Sequence, residues 1–158
     1  MRTWILLALM VPVLQACSNK DMRNFPLEPI PLNVGLAGAR AASDFFVKRE
    51  QLYAVDLTYN VRDRDEREAV MALAELGAEI EISVAIFRRD ENGWECVLDQ
   101  NVSMPKVSSW STYYLNSELL AVRLVPGEYR LRAETLIGLP TFSSVDTTIR
   151  VVKAYRGK

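Results

Sequence analysis

The chain has 158 residues, of which 49% are hydrophobic and 25% charged, with 19 basic side chains against 20 acidic ones. That length suits one domain with its own core, and acids interleaved with the basic residues exclude the cationic stripe that nucleic acid needs. No histidine occurs anywhere, which removes the commonest general base and metal ligand.

Chain order opens with Arg2, an apolar run over residues 4–11, then Pro12-Val13-Leu14 and the small residue Ala16. This is the layout of a secretory signal, and the run is shorter than the roughly 20 residues that cross a bilayer. Leu14-Gln15-Ala16-Cys17 resembles the lipobox of bacterial lipoproteins. That resemblance implies cleavage before Cys17, lipid attachment at its thiol, and anchoring to the cell envelope by acyl chains. Ser18 after the cysteine resembles the signal for the outer membrane, facing the periplasm. Residues 1–16 are therefore expected to be a removed leader. Residues 17–31 are expected to be an extended tether, because prolines at 26, 29 and 31 disfavour helix and central strand.

The domain proper is expected over residues 32–158, and period-two alternation dominates it. Residues 32–36 and Phe45-Phe46-Val47 supply early strands. Tyr53, Val55, Leu57, Tyr59 and Val61 then share one face. Residues 65–76 break the alternation with a run of helix formers. There Val70, Leu73, Ala74 and Gly77 form an apolar stripe, and Asp65 with Glu68 resembles a capping box.

Ile80, Ile82, Val84 and Ile86 open the next strand, and Trp94, Cys96, Leu98 and Val102 alternate in its partner. A three-residue Glu91-Asn92-Gly93 turn pairs Ile86 with Leu98 and Ile82 with Val102, keeping core opposite core. On that alternation Cys96 is a buried, inert thiol. A second hairpin is expected around Pro126-Gly127, and Val145, Thr147, Ile149 and Val151 close the domain. The sum is an all-β, antiparallel, immunoglobulin-like β-sandwich of about seven or eight strands with one inserted helix near residues 65–76. In Leu124-Val125-Pro126-Gly127-Glu128-Tyr129-Arg130 the tyrosine resembles the corner residue of such folds, whose hydroxyl ties a loop to the next strand.

The domain is also similar to a family of bacterial lipoproteins of unassigned activity. The similarity rests on Pro31-Leu32, residues 53–57, Trp110 and, most distinctively, the stretch from Leu124 to Leu136. It implies the anchor and the sandwich, and no activity.

Catalytic and metal chemistry find little support. The lone Cys96 has no histidine to activate it, and Glu79, Glu81, Glu95 and Asp99 sit at the spacing of a wet sheet face. Asp63, Asp65, Glu66 and Glu68 lack the rhythm of a calcium loop. No enzyme, cofactor or metal is expected.

Two segments suit a protein partner. One holds Trp110, Tyr113 and Tyr114, where interface anchors and a core tryptophan with an edge tyrosine fit the same letters. The other is the loop with Leu139 and Phe142, where Phe142 either meets a partner or tucks under the sandwich. The expectation is a lipid-tethered, protein-binding envelope module, for example an immunity protein against a toxin delivered to the periplasm. A structural role in envelope assembly or stress is the alternative, and a hydrolase working without histidine is third.

Overall fold

The structure, a computed structural model, describes residues 26–75, 79–103 and 105–155. The leader, Cys17, most of the expected tether, and Gly77 lie outside these residues, as does the side chain of Ala74. The elements in order are β1 (Leu27–Pro31), β2 (Arg40–Val47), β3 (Gln51–Asn60), α1 (Arg64–Glu75), β4 (Glu81–Asp90), β5 (Gly93–Ser103), β6 (Ser109–Trp110), β7 (Tyr114–Leu124), β8 (Gly127–Ile137) and β9 (Asp146–Lys153).

The strands form two antiparallel sheets, ordered β1-β9-β3-β7-β6 and β2-β8-β4-β5. Alternation explains the core between them. Tyr53, Val55, Leu57 and Tyr59 point inward from β3 with Ile149 and Val151 of β9, and they meet Ile82, Val84 and Ile86 of β4 and Leu131 of β8. The antiparallel sandwich with one inserted helix is thus present. Its winding is that of a jelly roll: β1 and β2 lie in opposite sheets, whereas in the immunoglobulin order the first two strands are neighbours.

This winding changes how several segments connect. Strands β7 and β8 belong to different sheets, so the turn at Pro126 is an arch across the sandwich and not the expected hairpin. The Tyr129 hydroxyl donates to the Val125 carbonyl at 2.9 Å, the loop-to-strand tie anticipated for this residue. Tyr53 does the same after the β2–β3 arch, donating to the Arg49 carbonyl at 2.9 Å. Tyr129→Phe is expected to cost about 1 kcal/mol in urea unfolding with the slope unchanged. The ring keeps its stacking on Phe45, 5.6 Å between centroids. Unchanged stability would mean that water replaces the tie without loss.

The proline-rich segment is an edge strand where a tether was expected. Leu27 pairs with Val151, Ile30 with Ile149 and Pro31 with Thr148, with a register shift between Leu27 and Ile30. An edge tolerates proline because one row of backbone groups needs no partner. Within the described residues the sheet therefore starts at Leu27, five residues before the expected boundary at 32. Residues 32–36, expected as a strand, are a loop held to β9: the Leu32 amide donates to the Thr147 carbonyl at 3.0 Å, and the Thr147 hydroxyl donates to the Leu32 carbonyl.

Helix α1 begins one residue earlier than expected, and its cap lies two residues upstream of Asp65 and Glu68. Asp63 Oδ1 accepts the Glu66 amide at 2.8 Å, while Glu66 Oε2 accepts the Arg62 amide at 2.7 Å. Val70 is buried, and Met71 and Leu73 pack on the core.

The β4–β5 ladder carries the anticipated Ile86 to Leu98 and Ile82 to Val102 pairs. Its turn is shorter, however, with Asp90 paired to Gly93 around Glu91-Asn92. The extra residue is Val97, a bulge between the Ile86–Leu98 and Phe87–Cys96 pairs. One inserted residue reverses the facing of everything before it. Trp94 and Cys96 consequently point outward, and Cys96 is exposed where a buried thiol was expected.

Candidate functional site

At one edge of the five-stranded sheet, β6 pairs with β7 through Ser109 to Asn116 and Trp110 to Leu115. The turn between them is pinned at several points. The Ser111 amide donates to the Tyr114 carbonyl at 2.8 Å, Ser111 Oγ accepts the Tyr113 amide at 3.2 Å, and the Val61 amide donates to the Tyr113 carbonyl at 2.9 Å. Beneath it the buried Asn116 side chain donates to Ser109 Oγ at 3.2 Å. Its Oδ1 accepts from the Thr58 hydroxyl at 2.8 Å and from Arg150 at 3.2 Å.

On this fixed base Trp110 is 64% exposed, Tyr113 68% and Tyr114 40%. The core position that the sequence favours for Trp110 is not the one adopted, because Trp110 ends the two-residue edge strand β6 with its ring in solvent. Leu139 is half-buried against the core, and Phe142 is 0% exposed, its ring 5.5 Å from that of Tyr59. Phe142 is therefore part of the core and not of any surface. Burial in the same region pushes the Tyr59 phenol up to about 12.

The outer face of the four-stranded sheet, which sequence reasoning passed over, carries a charged and aromatic array. Arg130 forms a two-toothed pair with Asp44 at 2.6 and 2.9 Å, and its guanidinium lies 4.3 Å from the centre of the Trp94 ring. Arg89 pairs with Glu128 at 3.2 Å and Arg40 with Glu134 at 3.0 Å. Arg132 lies 4.9 Å over Phe87. An open, shallow cleft of about 480 Å³ runs between Ala42, Ser43, Asp44, Arg130 and Arg132.

The hydrogen bonds from Arg130 hold the Asp44 carboxyl below its usual value of 3.8. A depressed carboxylate contributes stability above its unfolded value, and that contribution disappears as pH falls through the folded one. The stability difference between the parent and Asp44→Asn should therefore favour the parent at pH 6 and shrink as acid protonates the carboxyl below its usual range, as read by urea unfolding across pH. A difference that persists at low pH would assign the effect to packing. The group is half-exposed, so the advantage is small.

On the outer face of the other sheet, Asp56 faces Arg150 at 3.6 Å. Burial pushes its carboxyl up, Arg150 opposes that, and Glu118 adds to it. Among the described residues no cluster of three acids or cysteines is placed to hold a metal, and no helix is long and apolar enough to cross a membrane.

No curated protein matches the sequence. Among solved structures, the protein GEBA250068378 from Sulfurospirillum deleyianum is similar, with 15% identity and a TM-score of 0.64 over 82% of this chain and 98% of that one, a likeness of fold. The CBM35 of Cellvibrio japonicus Abf62 overlaps more loosely, at 17% identity and a TM-score of 0.37 over 78% of this chain and 75% of that one. So does a family 35 carbohydrate binding module from Clostridium thermocellum, at 13% and 0.38 over 84% and 90%. With residues 29–153 matched, from β1 through β9, the chain belongs to the family described as "Domain of unknown function (DUF5625)".

Proposed function

We propose that this protein is a non-enzymatic binding module of the bacterial envelope, held to the outer membrane by lipid on Cys17 and facing the periplasm, that captures another protein through its β6–β7 edge. The observation carrying this reading is the exposed group of Trp110, Tyr113 and Tyr114 on a turn whose backbone is already fixed. Rings on a rigid base lose little conformational freedom when they dock, and tryptophan and tyrosine dominate interface energetics. The lipobox-like Leu14-Gln15-Ala16-Cys17 supports the placement. A lipid-held binder is suited to neutralising a toxin delivered into the periplasm, the specific role proposed.

Crosslinked capture from the native cell tests this. The full chain should retain a toxin, and Trp110→Ala with Tyr113→Ala should reduce the captured amount about thirtyfold or more. Retention unchanged by the double substitution would overturn the assignment of the edge. Capture of envelope-assembly proteins in place of a toxin would overturn the immunity role.

A further inference from the structure

The outer face of the β2-β8-β4-β5 sheet carries four arginines whose partners differ. Arg40, Arg89 and Arg130 each meet a carboxylate, from Glu134, Glu128 and Asp44 respectively. Among the described residues Arg132 makes no such pair, and its contact is the Phe87 ring, 4.9 Å away. With the guanidinium over this ring and no hydrogen bond to another side chain among the described residues, the Arg132 N–H groups are available to receive both oxygens of a carboxylate.

The strand register shapes the space around it. Arg132 is opposite Ala42 on β2 and opposite Ala85 on β4, so its row is low on both sides. The next row, Asp44 with Arg130, stands higher and is neutralised by its own two hydrogen bonds. The result is the shallow cleft lined by Ala42, Ser43, Asp44, Arg130 and Arg132.

We propose that this cleft receives a carboxylate side chain of the protein partner, with Arg132 as the anion-binding group and Phe87 as the residue that positions it. This goes beyond the β6–β7 edge to a second surface, on the outer face of the other sheet, and rests on the protein-binding reading for the kind of partner. The openness of the cleft favours a carboxylate presented on a protein surface over a small free acid, because small-molecule sites enclose most of their ligand.

The test uses the full chain in detergent micelles, titrated with a hexaglutamate peptide and followed by amide chemical shifts. Binding should perturb Arg132, Ala42 and Ala85. Arg132→Gln should weaken it about tenfold or more, and Arg132→Lys should restore only part, since a lysine cannot hold two oxygens at once. Phe87→Leu should weaken it less than Arg132→Gln does. Arg64→Gln removes an equal charge from the helix surface and should leave affinity within about twofold.

Equal weakening by Arg64→Gln would overturn the site in favour of diffuse attraction. Free glucuronate binding as tightly as the peptide would overturn the protein ligand. Absence of shifts at the cleft would overturn the proposal while leaving the aromatic edge untouched, because native-cell capture reads that edge separately.

Discussion

Replacing Gly35 by alanine is expected to lower the midpoint of thermal unfolding by about 10 °C. A Cβ added there would stand 2.4 Å from the Ser143 amide nitrogen, 2.5 Å from its Cα and 2.9 Å from the Phe142 carbonyl carbon. All three are backbone atoms, so no side-chain rotation relieves the clash. Either the loop at residues 32–36 or the short turn Pro140–Phe142 must move. That turn holds the fully buried Phe142 against Tyr59, and the loop is tied to Thr147. Forcing extra volume into a packed site costs about 3 kcal/mol at the upper end of the usual range, and a domain of this size loses roughly 3–4 °C for each. Gly38→Ala provides the contrast. Nothing lies within 4 Å of its added Cβ, and only a φ of +82° opposes the change, so the loss there should be about 1 kcal/mol. Scanning calorimetry on both variants decides it: equal midpoints for the two would mean that strain in the backbone matters here and close approach does not.

Cys17→Ser is expected to move nearly all of the protein from the membrane fraction to the soluble one and to abolish incorporation of labelled palmitate. More than one acyl chain on Cys17 would hold the protein far longer than a single chain does, at about 0.8 kcal/mol for each buried methylene. The described residues contain no membrane-spanning helix to take over. An oxygen in place of sulfur cannot form the thioether, so the effect is all or none. Labelling and fractionation unchanged by the substitution would remove the placement in the envelope, and with it the main support for a periplasmic partner.

Much of the sandwich was legible because burial on one side writes a period of two into the chain. Strands β3, β4 and β9 were read from that alone, and the pairs of Ile86 with Leu98 and Ile82 with Val102 followed from matching core to core. What failed depended on distant partners. Prolines at 29 and 31 suit an exposed spacer and a sheet edge equally, and β9 decides between them. A Pro-Gly turn fits a hairpin or an arch, and the choice depends on which sheet receives β8. The cap was misplaced because Asp63, Asp65, Glu66 and Glu68 all have the chemistry, and only the helix start selects among them.

The candidate surfaces divide the same way. Trp110, Tyr113 and Tyr114 were singled out by residue type, while their exposure waited on the fold. The arginine face was missed for a local reason: Val97 inserts one residue, and Trp94 crosses to the outside to meet Arg130. Tyr53 could have been found from Tyr129, since each lies just beyond an arch and donates to a carbonyl four residues back.

The winding also settles how the molecule would bear a pull. Leu27 is aligned through Val151 with Val55, and Trp110 through Leu115 with Tyr59, on opposite margins of the five-stranded sheet. At roughly 4.8 Å per strand and 3.4 Å per residue, these points are about 19 Å apart in one direction and 14 Å in the other. Tension between a cell surface and a captured protein would act mostly across the strands, along their hydrogen bonds, so the edge pairs β1–β9 and β6–β7 would yield first and rung by rung, like a zip opened from its margins.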